Sequence, residues 1–297
     1  TIAATAAAAR ILGLSVEQTR MAFGIASSLA GGLKRNYGTM TKPLHAGNAA
    51  RNGILAGLLA MDGFTGDSDV FEGKYSLFRT FVGEEGDLRS IEENIGKTWD
   101  LVSPSVWVKA YPCCGASHSG IDAILYLRNR YKIAPHHVAE IECKTSPTMI
   151  VTATKDFPKT AQESRFSIRY ALTVALIDGA AFMKQFTEEK LKDPLTEEIM
   201  SKVKYSLYPL HEGSEMDMTE RVTLRLKDGK EYSYEVKESK GHLSNPLSDD
   251  ELSLKFKDCA SLVLGSWEIE RALELGWDLE KLNNVGKLME VISCIPS

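Results

Sequence analysis

The chain has 297 residues, 43% of them hydrophobic and 25% charged, enough for one large domain or two of ordinary size. Its 40 acidic and 35 basic residues give a net charge of -5, and the lysines and arginines are scattered, which argues against an extended nucleic-acid surface. No apolar run reaches membrane-spanning length, so no transmembrane helix and no membrane partner are predicted.

The chain opens on Thr1-Ile2-Ala3-Ala4-Thr5-Ala6-Ala7-Ala8-Ala9-Arg10, already helix-like and without a methionine. It lacks the basic leading region of a signal peptide and reads as a cut inside a helix, so a fragment is expected. Residues 1–63 read as helices. Gly13 is placed to end the first. Ser15 and Gln18 sit at the capping-box positions of the next, which should run to about Gly31-Gly32. After a polar loop through Thr41, a third helix is predicted from Lys42 to Met61, with Pro43 in its first turn. Ala46, Ala49, Ala50, Gly53, Ala56, Gly57 and Ala60 give it a small face suited to close helix packing.

Residues 64–103 are mixed, with turns at Gly63, Gly66, Gly73, Gly83 and Gly86. The character changes near Pro104. Val106-Trp107-Val108-Lys109-Ala110-Tyr111 alternates like a strand, and a helix is predicted from Ser117 to about Tyr131. Strands follow at Val138 to Lys144 and Val203 to Leu207, with an apolar helix from Phe166 to Phe182 between them. Arg221 to Leu226 and Glu231 to Val236 should pair as a hairpin around Asp228-Gly229. From Ser248 the pattern is helical again, with Asp249-Asp250-Glu251 in the first turn. The predicted class is α+β: a mainly helical domain in two pieces, 1–103 and 241–297, with an α/β lid domain, 104–240, inserted between them.

Two segments carry most of the chemistry. In the first, Lys42 stands at a helix start, where free N–H groups and the helix dipole attract anions, and makes a carboxylate clamp. His45, Asn48 and Asn52 share one face of that helix by their spacing. An exposed lysine and ordinary interhelical hydrogen bonds are the alternative. In the second, Lys109 faces the same way as Trp107 and Tyr111 by period two, Pro112 ends the strand, and Cys113 and Cys114 precede a helix start. A thiol beside a lysine and a helix N-terminus should have a lowered pKa, which would make Cys114 a general acid–base group or a nucleophile. Two buried structural thiols are the alternative. His118 would be a base, a donor or a cap.

Nucleotide-binding glycine motifs, a G-x-S-x-G elbow and metal-ligand spacings are absent. His136-His137 has no acidic partner at such a spacing and His211-Glu212 is not H-E-x-x-H, so no metal is predicted. Cys113, Cys114, Cys143, Cys259 and Cys294 are odd in number and irregularly spaced, which predicts reduced thiols and a cytoplasmic location.

The run Lys42-Pro43-Leu44-His45-Ala46-Gly47-Asn48-Ala49-Ala50-Arg51, then Gly63-Phe64-Thr65-Gly66, resembles the MmgE/PrpD family. So do Lys109-Ala110-Tyr111-Pro112, Phe166-Ser167-Ile168-Arg169-Tyr170-Ala171, and Gly241-His242 followed by Asn245-Pro246-Leu247-Ser248, in order along nearly the whole chain. The family includes 2-methylcitrate dehydratase, cis-aconitate decarboxylase and iminodisuccinate epimerase. The resemblance implies a helical domain with an α/β lid, a homodimer, no metal or cofactor, and chemistry at a carbon next to a carboxylate of a small di- or tricarboxylate. It puts Lys42 and Lys109 in the cleft between the domains. Lys42 would bind a carboxylate, and Lys109 would bind a carboxylate or stabilise an enolate. His45 and Asn48 would help bind substrate.

Cys114 aligns with a catalytic histidine of cis-aconitate decarboxylase. That departure argues against decarboxylation and leaves a thiol suited to dehydration or epimerisation. His118 falls where several members carry a histidine. Family members also have an N-terminal third with further active-site residues, which this chain is expected to lack; a separate chain would be one source of it. A dehydratase is the first expectation and an epimerase the second. A non-catalytic remnant that binds carboxylates or a partner chain is the reading from another class.

Overall fold

The structure, a computed structural model, describes residues 1–83, 88–102, 106–208 and 219–293. Gly86, Pro104, His211, Glu212 and Cys294, all named above, lie outside the described residues. Contacts divide the chain into two units, Thr1–Ser105 and Val106–Ser297.

The first unit is helical. Helices α1 (Ile2–Leu12), α2 (Val16–Leu29) and α3 (Thr41–Met61) pack against one another, and the shorter α4 (Leu77–Val82) and α5 (Leu88–Asn94) follow. Gly13 takes a left-handed conformation, φ 67°, at the end of α1. Ser15 and Gln18 close a capping box on α2, which stops at Leu29 rather than at Gly31-Gly32. Ala22, Ile25 and Ala26 of α2 meet Ala56 and Ala60 of α3 in the core, flanked by Ile2, Leu14, Met21, Leu29 and Leu59. The predicted small face of α3 is used only in part. Gly53, Ala56, Gly57 and Ala60 are buried, whereas Ala46 and Ala50 are exposed within the unit. At Gly53 the backbones of α1 and α3 approach so closely that a Cβ would lie 2.6 Å from the Ala4 methyl and 2.7 Å from the Thr5 nitrogen.

The second unit is built on a mixed sheet of β1 (Val138–Thr145), β2 (Val203–Leu207), β3 (Glu220–Leu226) and β4 (Glu231–Val236), in the order β2-β1-β3-β4. Strands β1 and β2 are parallel, as a long crossover requires; the other two pairs are antiparallel. The crossover carries α7 (Pro147–Thr152), α8 (Ala161–Ser164), α9 (Ile168–Asp178), α10 (Glu188–Leu191) and α11 (Pro194–Ser201), which follow α6 (His118–Tyr131) in the chain. Helix α6 packs on β3, β4 and α9. The core between them holds Ile121, Ile124, Leu127, Ile141, Leu172, Leu176, Val222 and Leu224, all fully enclosed. The predicted hairpin forms between β3 and β4, with Gly229 at φ 86°.

Helices α12 (Asp249–Ala260), α13 (Ser266–Trp277) and α14 (Gly286–Ile292) end the chain, α12 opening with a Ser248–Glu251 capping box. Among the described residues no helix is long and apolar enough to cross a membrane. The architecture is α+β.

The predicted strand at Val106 to Tyr111 does not form. This segment joins no ladder; its Val108 N–H donates to the Gly241 carbonyl at 3.1 Å. Alternation alone cannot make a strand where no sheet edge accepts the backbone, and Pro112 removes a donor at its end. Period two therefore gives no shared face to Trp107, Lys109 and Tyr111. Instead the Trp107 ring packs on His242, Lys109 turns to Cys113 and Tyr111 turns to Asp122.

Candidate functional site

The six residues singled out above fall three in each unit. Lys42, His45 and Asn48 lie on α3 of the first, all half-buried. The Lys42 ammonium sits over the Tyr37 ring, 5.5 Å from its centroid, a contact that holds a cation without neutralising it. The His45 ring lies against Gly32, where a Cβ would come within 3.2 Å of it. Asn52, one turn on from Asn48, is committed to structure: its amide donates to the Leu29 carbonyl at 2.8 Å and ties α3 to the end of α2.

In the second unit Lys109, Cys114 and His118 gather around the start of α6. The Lys109 ammonium donates to the Cys113 carbonyl at 3.1 Å. Cys113 and Cys114 are both buried, and the Cys114 N–H donates to the Arg165 carbonyl at 2.8 Å. A short 3-10 turn, Gly115–Ser117, then leads into α6, whose first residue is His118.

Cys113, the neighbour of the candidate Cys114, is not an activated thiol. Its thiol is pushed up by burial and by the neighbouring Cys114, against weaker pulls from Lys109 and Arg165. The helix start is also already occupied. The N–H of Gly120, the third residue of α6, donates to the Glu220 carboxyl group at 2.6 Å, so that end of the dipole already faces a protein acid.

His118 is 3% exposed, and its Nε2 has no hydrogen-bond partner among the described residues. Desolvation, then the Lys109 charge, lowers its pKa to about 4, against the opposing pull of the Cys113 and Tyr111 carbonyls. The imidazole is therefore neutral at physiological pH. Its ring meets Tyr111 edge-on, centroids 5.1 Å apart. Such a group can accept a proton from a bound ligand.

Sequence reasoning missed the residues that brace this segment. The Tyr111 hydroxyl donates to Asp122 Oδ1, and the Lys240 N–H donates to Asp122 Oδ2 at 2.7 Å. Lys240 in turn pairs with Glu251 at 2.8 Å. Asp122 lies four residues after His118, the spacing of one helix face, and that was a usable signal. Glu220 falls in phase with the buried Val222 and Leu224 of β3; an acid in the inward phase of a strand was the other. His242, whose ring meets that of Trp107, pairs with Ser244 and Glu238. Among the described residues no three His, Cys, Asp or Glu are grouped to hold a metal ion, and Cys113, Cys114, Cys143 and Cys259 are free thiols.

Comparison with known proteins agrees with this two-part organisation. The profile of the MmgE/PrpD N-terminal domain matches residues 1–88, and that of the MmgE/PrpD C-terminal domain matches residues 111–279. Cis-aconitate decarboxylase from Mus musculus is 30% identical over 302 residues, covering 98% of this chain and 60% of the relative. The Homo sapiens protein of the same name is 30% identical over 298 residues, covering 98% and 61%. The Aspergillus terreus one is 26% identical over 311 residues, covering 97% and 62%. The chain thus spans about three-fifths of the length of these curated relatives. With one domain profile alone covering more than half of its residues, the chain belongs to the MmgE/PrpD family.

Proposed function

We propose that this chain, as part of the complete enzyme, is a lyase acting at a carbon beside a carboxylate of a small di- or tricarboxylic acid, and that the group eliminated is water. The observation that carries the reading is His118: buried, neutral, with Nε2 unpartnered among the described residues and the Lys109 charge close by. A neutral imidazole takes the proton from the carbon, and a lysine balances the charge that develops on the carboxylate as it leaves. The Cys114 thiol gives its proton to the departing hydroxyl. Lys42, with His45 and Asn48 along the same helix, binds a second carboxylate. The reading needs no metal or redox cofactor, because lysines supply the positive charge. In the complete enzyme we take 104–240 as the lid, 241–297 as part of the helical domain, and the assembly as a homodimer.

The names of the curated relatives support a second reading, loss of CO2 instead of water. Cysteine at 114, where the family resemblance puts a decarboxylase histidine, favours water loss. One experiment separates them: incubation of the chain with a panel of di- and tricarboxylates in D2O, followed by NMR. The chain is tested alone and with the segment by which its relatives exceed it. Water loss is the expected result. Loss of CO2 would select the second reading, and inversion with deuterium uptake would make the enzyme an epimerase. No change in any acid, with the segment present, would leave a carboxylate-binding remnant and overturn the proposal.

A further inference from the structure

We propose that Glu220 is a positioning residue: its buried carboxylate caps the start of α6 and thereby holds His118 in the orientation the reaction uses. The inference rests on the role given to His118 above. Ser117 occupies the N-cap of α6, yet its side chain makes no cap bond, and its buried hydroxyl is unpartnered among the described residues. The capping bond comes instead from a strand a hundred residues away. Glu220, 1% exposed at the start of β3, accepts the Gly120 N–H at 2.6 Å. The approach depends on glycine, since a Cβ at position 120 would lie 2.9 Å from the Glu220 Oε2 and 2.8 Å from a Leu172 methyl. The other carboxylate oxygen lies 3.7 Å from the Cys143 sulfur on β1.

Strand β3 has a ladder on each side, so the carboxylate ties the first turn of α6 to an interior strand of the sheet. An N–H bond to a charged acceptor is stronger than one to a neutral acceptor, and the helix dipole adds to the preference for charge. Protonation of Glu220 weakens both. The groups acting on Glu220 are Gly120 from α6, Thr145 and Cys143 from β1, and the thiol of Cys113 from the segment before α6, which feels the Glu220 charge, while α9 contributes the apolar Leu172. Those acting on His118 are Lys109, Tyr111 and Cys113 from the preceding segment and Lys255 from α12. The two sets share only Cys113, whose thiol burial keeps protonated and uncharged, so the link from Glu220 to His118 that responds to charge is the backbone of α6. Burial raises the Glu220 carboxyl to about 7, which puts its ionisation in the neutral range, well above that of His118 at about 4.

The test is NMR of histidine ring signals in the full chain from about pH 5 to about pH 9, above the His118 ionisation itself, in the wild type and in Glu220→Gln. The His118 signals of the wild type should shift with a midpoint near 7, as Glu220 ionises, and Glu220→Gln should abolish that shift. With an active carboxylate substrate, the kcat profile should lose the same ionisation in Glu220→Gln, while KM stays within about threefold. An unaltered His118 titration in Glu220→Gln, or flat His118 signals in the wild type, would overturn the proposal. Should Glu220→Gln fail to fold, the wild type decides alone. Coincident midpoints for the glutamate carboxyl carbon and the His118 ring support the coupling, and a His118 ring that ignores the glutamate refutes it. If no carboxylate turns over, the proposed function fails, and the NMR comparison still decides whether Glu220 holds His118.

Discussion

A histidine shut away from water next to an ammonium stays neutral, and that fact organises the second unit's chemistry. His118 is such a residue: burial first, and then the Lys109 charge, disfavour its protonation. The two roles assigned to proton transfer are separable by substitution. Cys114→Ser should lower kcat by about 100-fold or more, the ordinary worth of an acid–base group, with an unchanged circular dichroism spectrum. Full turnover in that variant would remove Cys114 from the mechanism. In the proposed function Lys42 binds a substrate carboxylate. In that role Lys42→Ala should cost roughly 1.5–3 kcal/mol of substrate affinity, a charged hydrogen bond lost, while kcat changes little. Calorimetric titration of substrate into the variant reads this directly, and an unaltered affinity would refute a carboxylate role.

Elements add what single residues do not. Helix α3 meets α1 across Gly53, where a methyl has no room between two backbones. Gly53→Ala gains about 1 kcal/mol of helix propensity, but overpacking against backbone typically costs about 1–3 kcal/mol. The clash should win, lowering the thermal midpoint; a raised midpoint would show that α1 can move aside. Helix α6 couples two opposed ionisations. His118 is held at about 4 against an ordinary 6.5, so the unfolded chain binds the extra proton and stability falls as pH drops from 6.5 toward 4. Glu220 is held at about 7 against 4.5, so the folded chain binds the extra proton and stability falls as pH rises from 4.5 to 7. Each amounts to roughly 3 kcal/mol over its window, and the slopes largely cancel where the windows overlap. Glu220→Gln should therefore unmask a stability that rises with pH up to about 6.5, and His118→Asn one that falls with pH up to about 7. Urea unfolding across that range checks both, and identical pH slopes in the two variants would contradict the pairing.

At the scale of the whole molecule, the dimer expected from the family resemblance gives one more measurement: sedimentation equilibrium should return about twice the 32.7 kDa of the chain, and a monomer across the working concentration range would remove the dimer from the proposal. The helices that local rules specify were legible in advance. Gly13, the Ser15–Gln18 capping box and the acidic first turn Asp249-Asp250-Glu251 mark their helices within a few residues of chain, and Asp228-Gly229 sets its hairpin by turn geometry alone. The segment at Val106 to Tyr111 misled because alternation records only which side chains are apolar, while a strand also needs a neighbouring edge for its N–H and C=O groups. The site divides in the same way. Lys42, His45, Asn48, Lys109, Cys114 and His118 stand in short runs whose spacing is visible. The charge state of His118 is not, because it depends on water excluded by residues far along the chain. Nor is the cap on α6, supplied by Glu220 across a hundred residues. The sequence by itself determined where helices begin and which residue types lie near their starts, since those depend on neighbours within one or two turns. Only the tertiary structure decided which of these groups are buried, which bond to which and which hold a proton, because desolvation and long-range hydrogen bonds exist only once distant segments have packed together.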